Sequence, residues 1–394
     1  MKISTYSNSI LTLVSLFLVI LVSCGTDSSP EIIRRPLPEI SEISVPEGFV
    51  VEEFASGLDL PTSMAFPPDG SDRLFVNELQ TGRIIIFENG SRLAEPFASV
   101  NTMVEGGFPV AGENGLIGLA FDPDYNSNRF VYVSFAVRTG QGTKGVVARF
   151  TDNDNKGENF TILLDNLPSS NGHQVENIAF GPDGKLYISV GDAFQESNVQ
   201  NIDRFHGKML RMNRDGSIPA DNPFGDSYVW ALGLRKSFGI AFRENGDLIA
   251  NENGPNFRDE LNVIEEGRNY GWPDTLGISG NPDFTDPVHV WNEIVAPTGI
   301  HFYKGDQFPE RYRGRMFQVL FGRTFSDGPD SRAKRIQVVH LEGSGQNTVP
   351  SFEDFAVYNF SGTGNPIELA EGPAGSLFLS DIFQGKVFRI RFEN

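Results

Sequence analysis

From Val45 to the C-terminus the chain repeats one pattern: a short apolar run, a polar turn closing on glycine, and a second apolar run. It recurs as MAFPPDGSDRLFVNE, LAFDPDYNSNRFVYVSF, IAFGPDGKLYISVGD, IAFRENGDLIANENG and LAEGPAGSLFLSD. Apolar runs joined by such turns form antiparallel hairpins, because the turn needs a left-handed residue and glycine supplies it without strain. No stretch sustains the periodicity of an amphipathic helix. The turn glycines Gly70, Gly184, Gly246 and Gly375 are 114, 62 and 129 residues apart. The first interval holds a variant turn at Asp122 to Asn126 and the third has room for another unit around Phe302 to Phe325, which makes six units of roughly sixty residues. Like antiparallel units of this size protect their edges by closing into a ring, so the expected fold is all-β, a six-bladed β-propeller with four-stranded antiparallel blades. A pair of β-sandwiches also consists of hairpins, but gives no reason for the even spacing.

The segment before Val45 has a different character. Lys2 precedes an apolar run from Ile10 to Val22 that ends in LVSC at Cys24. The run is short for a membrane span and reads as a cleavable export signal over residues 1–23. LVSC resembles a bacterial lipobox, which implies that Cys24 becomes a lipid-bearing first residue. The expected location is therefore the cell envelope, facing the periplasm or the outer surface; an ordinary secretory signal is the plainer alternative. Residues 24–44, polar and proline-containing, read as a flexible tether to a propeller over 45–394. Cys24 is the sole cysteine, so the propeller has no disulfide, no thiol chemistry and no CxxCH haem attachment. Thirty-three phenylalanines in a chain that is 39% hydrophobic are ample core material. A net charge of -19 opposes binding to nucleic acid.

In propellers, loops from several blades converge at one end of the central channel, so chemistry is sought in the loops flanking the hairpins. His173 stands directly before one hairpin and Asp192 directly after it. A carboxylate on one imidazole nitrogen fixes the tautomer and raises the basicity of the other, as a general base requires; a histidine in a polar surface loop is the structural alternative. Asn251 to Asp274 holds Glu252, Asp259, Glu260, Glu265 and Glu266 among glycines and prolines. Carboxylates with irregular backbone carbonyls suit calcium, though the loop lacks EF-hand spacing and an acidic solvated loop explains it equally. Arg235 and Lys236 in LGLRKSFG could bind an anion or form ordinary ion pairs. P-loop, GxSxG and HExxH motifs are absent from the sequence.

Six ordered stretches, GENGLIGLAFDPDY, GHQVENIAFGPDGKLYISVGD, GKMLRMNRDGSIPADNPF, GLRKSFGIAF, NENGPNFRDELNVIEEGRNYGWP and GSLFLSDIFQGKVFRI, together resemble the glucose/sorbosone dehydrogenase family. That family includes soluble, calcium-dependent sugar dehydrogenases that use pyrroloquinoline quinone (PQQ). The resemblance covers the chain from about Val45 onward and implies the same six-bladed propeller. It also implies roles. His173 would take the proton from a sugar's anomeric hydroxyl, Asp192 would orient it, and Arg235 would stabilise negative charge on the quinone. Glu113, Gln174, Arg235 and Lys236 would contact PQQ. Gly254 and Pro255 would offer carbonyls to the calcium that bridges to PQQ, and Glu260 and Tyr270 would belong to a second, structural calcium site.

The sequence departs from the family pattern at four positions. Lys236 stands where an asparagine is usual, Phe238 and Glu113 where glutamines are, and Gly172 where an aspartate precedes the histidine. A carboxylate facing a tri-acid cofactor needs a partner, and Lys236 is the expected one. The principal expectation is PQQ- and calcium-dependent oxidation of an aldose at its anomeric carbon to a lactone, with electrons leaving to a separate acceptor, a cytochrome or a quinone. The alternative is a cofactorless propeller that binds carbohydrate or protein. A calcium-dependent lactonase, with a metal on side-chain carboxylates in the channel, fits the carbonyl pattern of Gly254 and Pro255 less well. Substrate choice would rest on the loops Thr324 to Asp330 and Gly277 to Trp291.

Overall fold

The computed structural model describes residues 42–109, 112–255, 257–322, 334–358 and 364–393. The segment expected to be an export signal, Cys24, all but the end of the expected tether, and the loop Thr324 to Asp330 lie outside the described residues.

Six antiparallel sheets follow one another along the chain. Their innermost strands are Pro61–Ala65, Leu116–Phe121, Val175–Phe180, Ser237–Phe242, Pro297–Phe302 and Pro366–Glu371, in what we call blades I to VI. Each inner strand touches the inner strands of the blades before and after it, and that of blade VI returns to that of blade I, which closes the ring. The repeated sequence unit is thus the hairpin of first and second strands, and Gly70, Gly184, Gly246 and Gly375 take the left-handed conformations its turns require. The six-bladed propeller expected from the repeats is the fold.

Two blades exceed four strands: Ala98–Ser99 pairs with Arg83–Glu88 in blade I, and Ile43–Ser44 pairs with Val349–Tyr358 in blade V. Ile43 and Ser44, assigned to the tether from composition, therefore form part of the folded body. Blade VI takes its outer strand from the start of the fold, Phe49–Ala55 pairing with Lys386–Phe392. Phe49 makes edge-on contacts with Phe308, Tyr312, Phe355 and Phe392, at centroid distances of 4.8 to 5.4 Å. It locks blade V to blade VI through a buried aromatic cluster.

Every inner strand carries a register shift near its start, for example between Leu116 and Leu119 and between Val175 and Ile178. Such a bulge leaves backbone carbonyls unpaired within the blade, and in five blades a polar side chain on the preceding blade's second strand supplies the missing donor. Asn77 reaches Ile117, Ser134 reaches Glu176, Ser189 reaches Ser237, Asn251 reaches Thr298 and Ser380 reaches Thr62. Gln318 in blade V instead donates to Gln337 of its own blade. The donors of these fully buried groups are used across the seams and tie neighbouring blades together, while the side-chain oxygens of Asn77 and Asn251 stay without a partner.

Candidate active site

Strand direction puts the candidate residues at one end of the ring. Inner strands begin where second strands end, so Glu113, His173 and Arg235–Lys236, just before inner strands of blades II, III and IV, share a face with Asp192 and Glu252 at second-strand ends. His173 Nδ1 lies 2.6 Å from Asp192 Oδ1. Asp192 is held by two further donors, Phe194 N at 2.9 Å to Oδ1 and Trp272 Nε1 at 3.0 Å to Oδ2. The carboxylate is therefore fixed on three sides, and His173 Nε2 has no partner among the described residues. Gly191 leaves the space for this: a Cβ there would sit 2.8 Å from the His173 backbone.

Burial holds the His173 imidazole below its ordinary titration range; Asp192 pulls upward, while the nearby Lys236 and Arg235 push further down. The ring is thus neutral near pH 7 and able to accept a proton at Nε2. Asp192 stays ionised. Burial raises its carboxyl, but hydrogen bonds from His173, Phe194 and Trp272 outweigh that and lower it.

Lys236 forms an ion pair with Glu113, as the charge complementarity of the two departures suggested. Lys236 is buried, whereas the Glu113 side chain is 47% exposed at the mouth of the cavity. Burial opposes the Lys236 charge, yet Glu113 and Glu176 hold it above its usual range; Lys236 in turn is the main cause of the lowered Glu113 carboxyl. Arg235 Nη1 donates to the carbonyls of Asn253 at 2.8 Å and Gly254 at 3.1 Å, and its guanidinium lies 5.6 Å from the Trp272 ring centroid.

The pair opens onto a cavity of about 470 Å³ at the top of the central channel. Its walls are largely apolar: Leu79, Ile117, Phe238, Ile367 and Ile382 form one buried cluster. Phe238 supplies one wall, so the substitution at that position makes the cavity greasier rather than filling it.

Other expected residues turn out to be engaged elsewhere. Gln174 is fully buried and its amide bridges Glu113 O and Gly115 N, at 2.7 and 3.3 Å; it shapes the Glu113 turn and does not line the cavity. The Gly254 carbonyl accepts from Arg235, and the Pro255 carbonyl from Phe257 N at 2.9 Å. Glu260 is buried, accepting from Gly277 N at 2.7 Å. It stands opposite Glu252 in register, and both line a small cavity with Gly254 and Tyr270. Burial and the Glu252 charge raise Glu260 to about 7. The Tyr270 hydroxyl donates to Val263 O and accepts from Glu265 N. Among the described residues no three His, Cys, Asp or Glu side chains converge as a metal cluster.

A family model described as "Glucose / Sorbosone dehydrogenase" matches residues 58–320. The chain belongs to the glucose/sorbosone dehydrogenase family. Within this family it is 33% identical over 268 residues to quinoprotein glucose dehydrogenase B of Acinetobacter calcoaceticus, a match covering 60% of this chain and 55% of that one. The PQQ-bound form of aldose sugar dehydrogenase from Streptomyces coelicolor superposes with a TM-score of 0.71 at 26% identity, over 89% of this chain and all of that one. Mouse Hedgehog-interacting protein is 29% identical over 199 residues, 45% of this chain and 28% of that protein. The chain thus spans just over half the length of the Acinetobacter enzyme it matches.

Three site residues escaped sequence reasoning. Trp272 sits in the YGWP motif but nothing in one sequence ties it to Asp192, 80 positions away. Glu176, three residues after His173, reads as an inner-strand residue; it is 1% exposed and one of its oxygens lacks a hydrogen-bond partner. Phe194 packs on His173, 21 positions earlier, and nothing local in the sequence around it signals that contact.

Proposed function

We propose that the protein is a PQQ-dependent dehydrogenase that oxidises an aldose at its anomeric carbon to the lactone. The observation that carries this is the His173–Asp192 dyad, a neutral, oriented base whose charged neighbour Lys236 lines a cofactor-sized cavity. PQQ is a flat tricyclic quinone with three carboxylates. The apolar walls suit its ring faces, and Lys236 and Arg235 would hold its oxygens at the dyad end. When bound, the quinone supplies the hydride acceptor. His173 Nε2 takes the proton of the substrate's anomeric hydroxyl while Asp192 stabilises the imidazolium that forms. Arg235 keeps positive charge at the end where negative charge would develop, and the apolar walls exclude water.

Calcium fits less evenly. The carbonyls of Gly254 and Pro255 already have donors, so no step is routed through a metal there. The facing pair Glu252 and Glu260 offers anionic oxygens instead, two buried carboxylates across one ladder position that a cation would draw from their hydrogen bonds to Lys236 N, Ser237 Oγ and Gly277 N. We propose calcium at this second place, as a structural ion.

The same reading includes export on a lipid-modified Cys24 and transfer of electrons to a separate cytochrome or quinone. The deciding experiment adds PQQ to the purified mature protein and follows dye reduction with a panel of aldoses. Aldose-dependent reduction that His173→Ala abolishes is expected; no reduction with any aldose, together with no PQQ binding, overturns the reading. Likeness to Hedgehog-interacting protein and the Phe238 and Glu113 departures favour a second reading, a cofactorless binding module. Carbohydrate or protein binding without PQQ would support it.

A further inference from the structure

Of the described side chains that line the cavity of about 470 Å³, two carry charge, Glu113 and Lys236, and they are paired with each other. The wall that an incoming ligand meets is therefore formally neutral, and its one cation already has a counter-ion. The two partners differ in freedom. The Lys236 side chain is 10% exposed, and its backbone is tied on both sides, the N–H to Glu252 Oε1 at 2.7 Å and the carbonyl to Asn253 N at 2.9 Å. The Glu113 side chain is 47% exposed, and among the described residues its carboxylate has no hydrogen-bond partner besides the lysine. Its main chain is anchored, N to Asn171 O at 3.2 Å and O to Gln174 Nε2 at 2.7 Å. The Glu113 side chain is thus the one movable half of the pair.

Lys236 does not depend on Glu113 alone for its charge. The fully buried Glu176 is a second carboxylate that favours the ammonium, and one Glu176 oxygen has no hydrogen-bond partner among the described residues. Taking Glu113 away leaves a fixed cation on an apolar cavity, with a balancing acid inside the fold. Gly172 gives the movable half its room. A Cβ there would lie 3.5 Å from Glu113 Oε2, so the aspartate usual at that position would set another carboxylate against Glu113. Glycine leaves that side open.

We propose that Glu113 is a built-in competitor for the anionic group of the ligand: it occupies Lys236 in the free protein and must be displaced before an anion can take its place. The inference rests on the reading of this cavity as the cofactor's and adds what controls entry to it. Two anions on one ammonium repel each other at close range, most strongly where apolar walls keep water out. The incoming anion therefore turns Glu113 away or forces a proton onto it. A neutral ligand of the same shape does neither, so only anions feel the competitor. Displacement also links binding to pH. In the free protein Lys236 holds the Glu113 carboxyl below its ordinary range; with an anion on Lys236 that support is gone and the carboxyl rises. Anion affinity in the wild type therefore climbs as pH falls through the ordinary carboxylate range. His173, Arg235, Lys236 and Glu176 are the charged or titratable groups facing Glu113, and all four remain when Glu113 alone is replaced.

The test measures binding to the mature protein without cofactor, so that it does not depend on turnover. The probes are 2-naphthalenesulfonate, a flat aromatic with one permanent negative charge, and its neutral counterpart 2-naphthalenesulfonamide. Both are titrated by calorimetry into the wild type and Glu113→Gln between pH 4 and 8. At pH 7.5 Glu113→Gln should bind the sulfonate about tenfold more tightly than the wild type and the sulfonamide equally. The sulfonate advantage should shrink as pH falls toward 4, and adding Lys236→Met to Glu113→Gln should remove it. Equal sulfonate affinity in wild type and Glu113→Gln, an equal gain for the sulfonamide, or no sulfonate binding by Glu113→Gln overturns the competitor. PQQ titrated into the same proteins separates the two ideas. If PQQ binds none of them while the sulfonate behaves as expected, the dehydrogenase reading falls and the role of Glu113 stands. If PQQ binds wild type and Glu113→Gln equally, the role of Glu113 falls and the cofactor reading stands.

Discussion

Asp192→Asn is the perturbation that most directly separates a working base from an ornamental histidine. The substitution keeps the shape of the side chain and removes its charge. Asp192 now accepts three hydrogen bonds, from His173 Nδ1 at 2.6 Å, Phe194 N at 2.9 Å and Trp272 Nε1 at 3.0 Å. An asparagine offers one oxygen, so its amide nitrogen must face either the imidazole or the indole. If it faces the indole, two donors oppose each other in a buried site; if it faces the imidazole, the tautomer inverts and Nε2 carries the proton it should accept. A charge-assisted bond of this kind is worth about 1.5–3 kcal/mol, which converts to roughly a 10- to 100-fold fall in kcat. Loss of Asp192 also removes the influence that raises the His173 titration against burial. Since the base must be neutral to work, the acidic limb of the pH–rate profile should move to lower pH even as the plateau drops. The assay is dye-linked turnover of the PQQ-loaded protein between pH 4 and 9, with chemical unfolding of the same samples to show that the fold persists. A variant with unchanged kcat, or a lowered plateau whose acidic limb stays in place, would refute the assignment of His173 as the base.

Four other outcomes follow from the geometry. Glu176 is raised from 4.5 to about 7 by burial, so its favourable contribution is complete below pH 4.5 and is lost as pH rises through 7; Glu176→Gln should therefore gain stability over wild type at pH 8, by about 3 kcal/mol, and gain little at pH 4.5, as read from urea midpoints. A Cβ on Gly239 would fall 2.0 Å from Thr298 O in the next blade, so Gly239→Ala should cost about 1–3 kcal/mol or more in the same assay, and a neutral result would mean that the blade IV–V seam is looser than described. Phe49→Ala removes a ring shared by four aromatic neighbours and should cost about 3–5 kcal/mol in thermal or urea unfolding. Calcium at a hundredfold excess over its dissociation constant should add about 2.7 kcal/mol to stability; chelation should reverse the gain, and Glu260→Gln should abolish it, whereas a calcium response surviving in that variant would place the ion elsewhere.

The architecture was legible because its signal is local and repeated. Gly70, Gly184, Gly246 and Gly375 are required by turns that each blade forms from neighbouring residues, and the second strands are apolar enough to be buried on both faces. His173 and Asp192 were legible for the same reason, since one hairpin joins them. The lysine–glutamate pair was reachable once the family resemblance marked both positions as departures, because an acid and a base then stand where amides are usual. What failed was anything set by several distant segments at once. The Gly254 carbonyl is claimed by Arg235, Gln174 faces inward, and the apolar cavity combines residues from all six blades and the loops between them. The pairing of Ile43–Ser44 with blade V depends on a strand more than 300 residues away, and no local pattern in those two residues announces it.

That closure also governs how the protein comes into being. Among the described residues Phe49–Ala55, near the start of the fold, pairs only with Lys386–Phe392 at its far end. Until the last strand is made, Phe49 has no Phe392 to pack against and blade VI lacks its outer edge. The closed ring is therefore complete only once the C-terminal strand exists. Its closing contacts carry nearly the greatest sequence separation the chain allows, which makes the final step slow. Until that strand is made, blade VI stays without its pairing to the start of the fold, whatever the other blades have built.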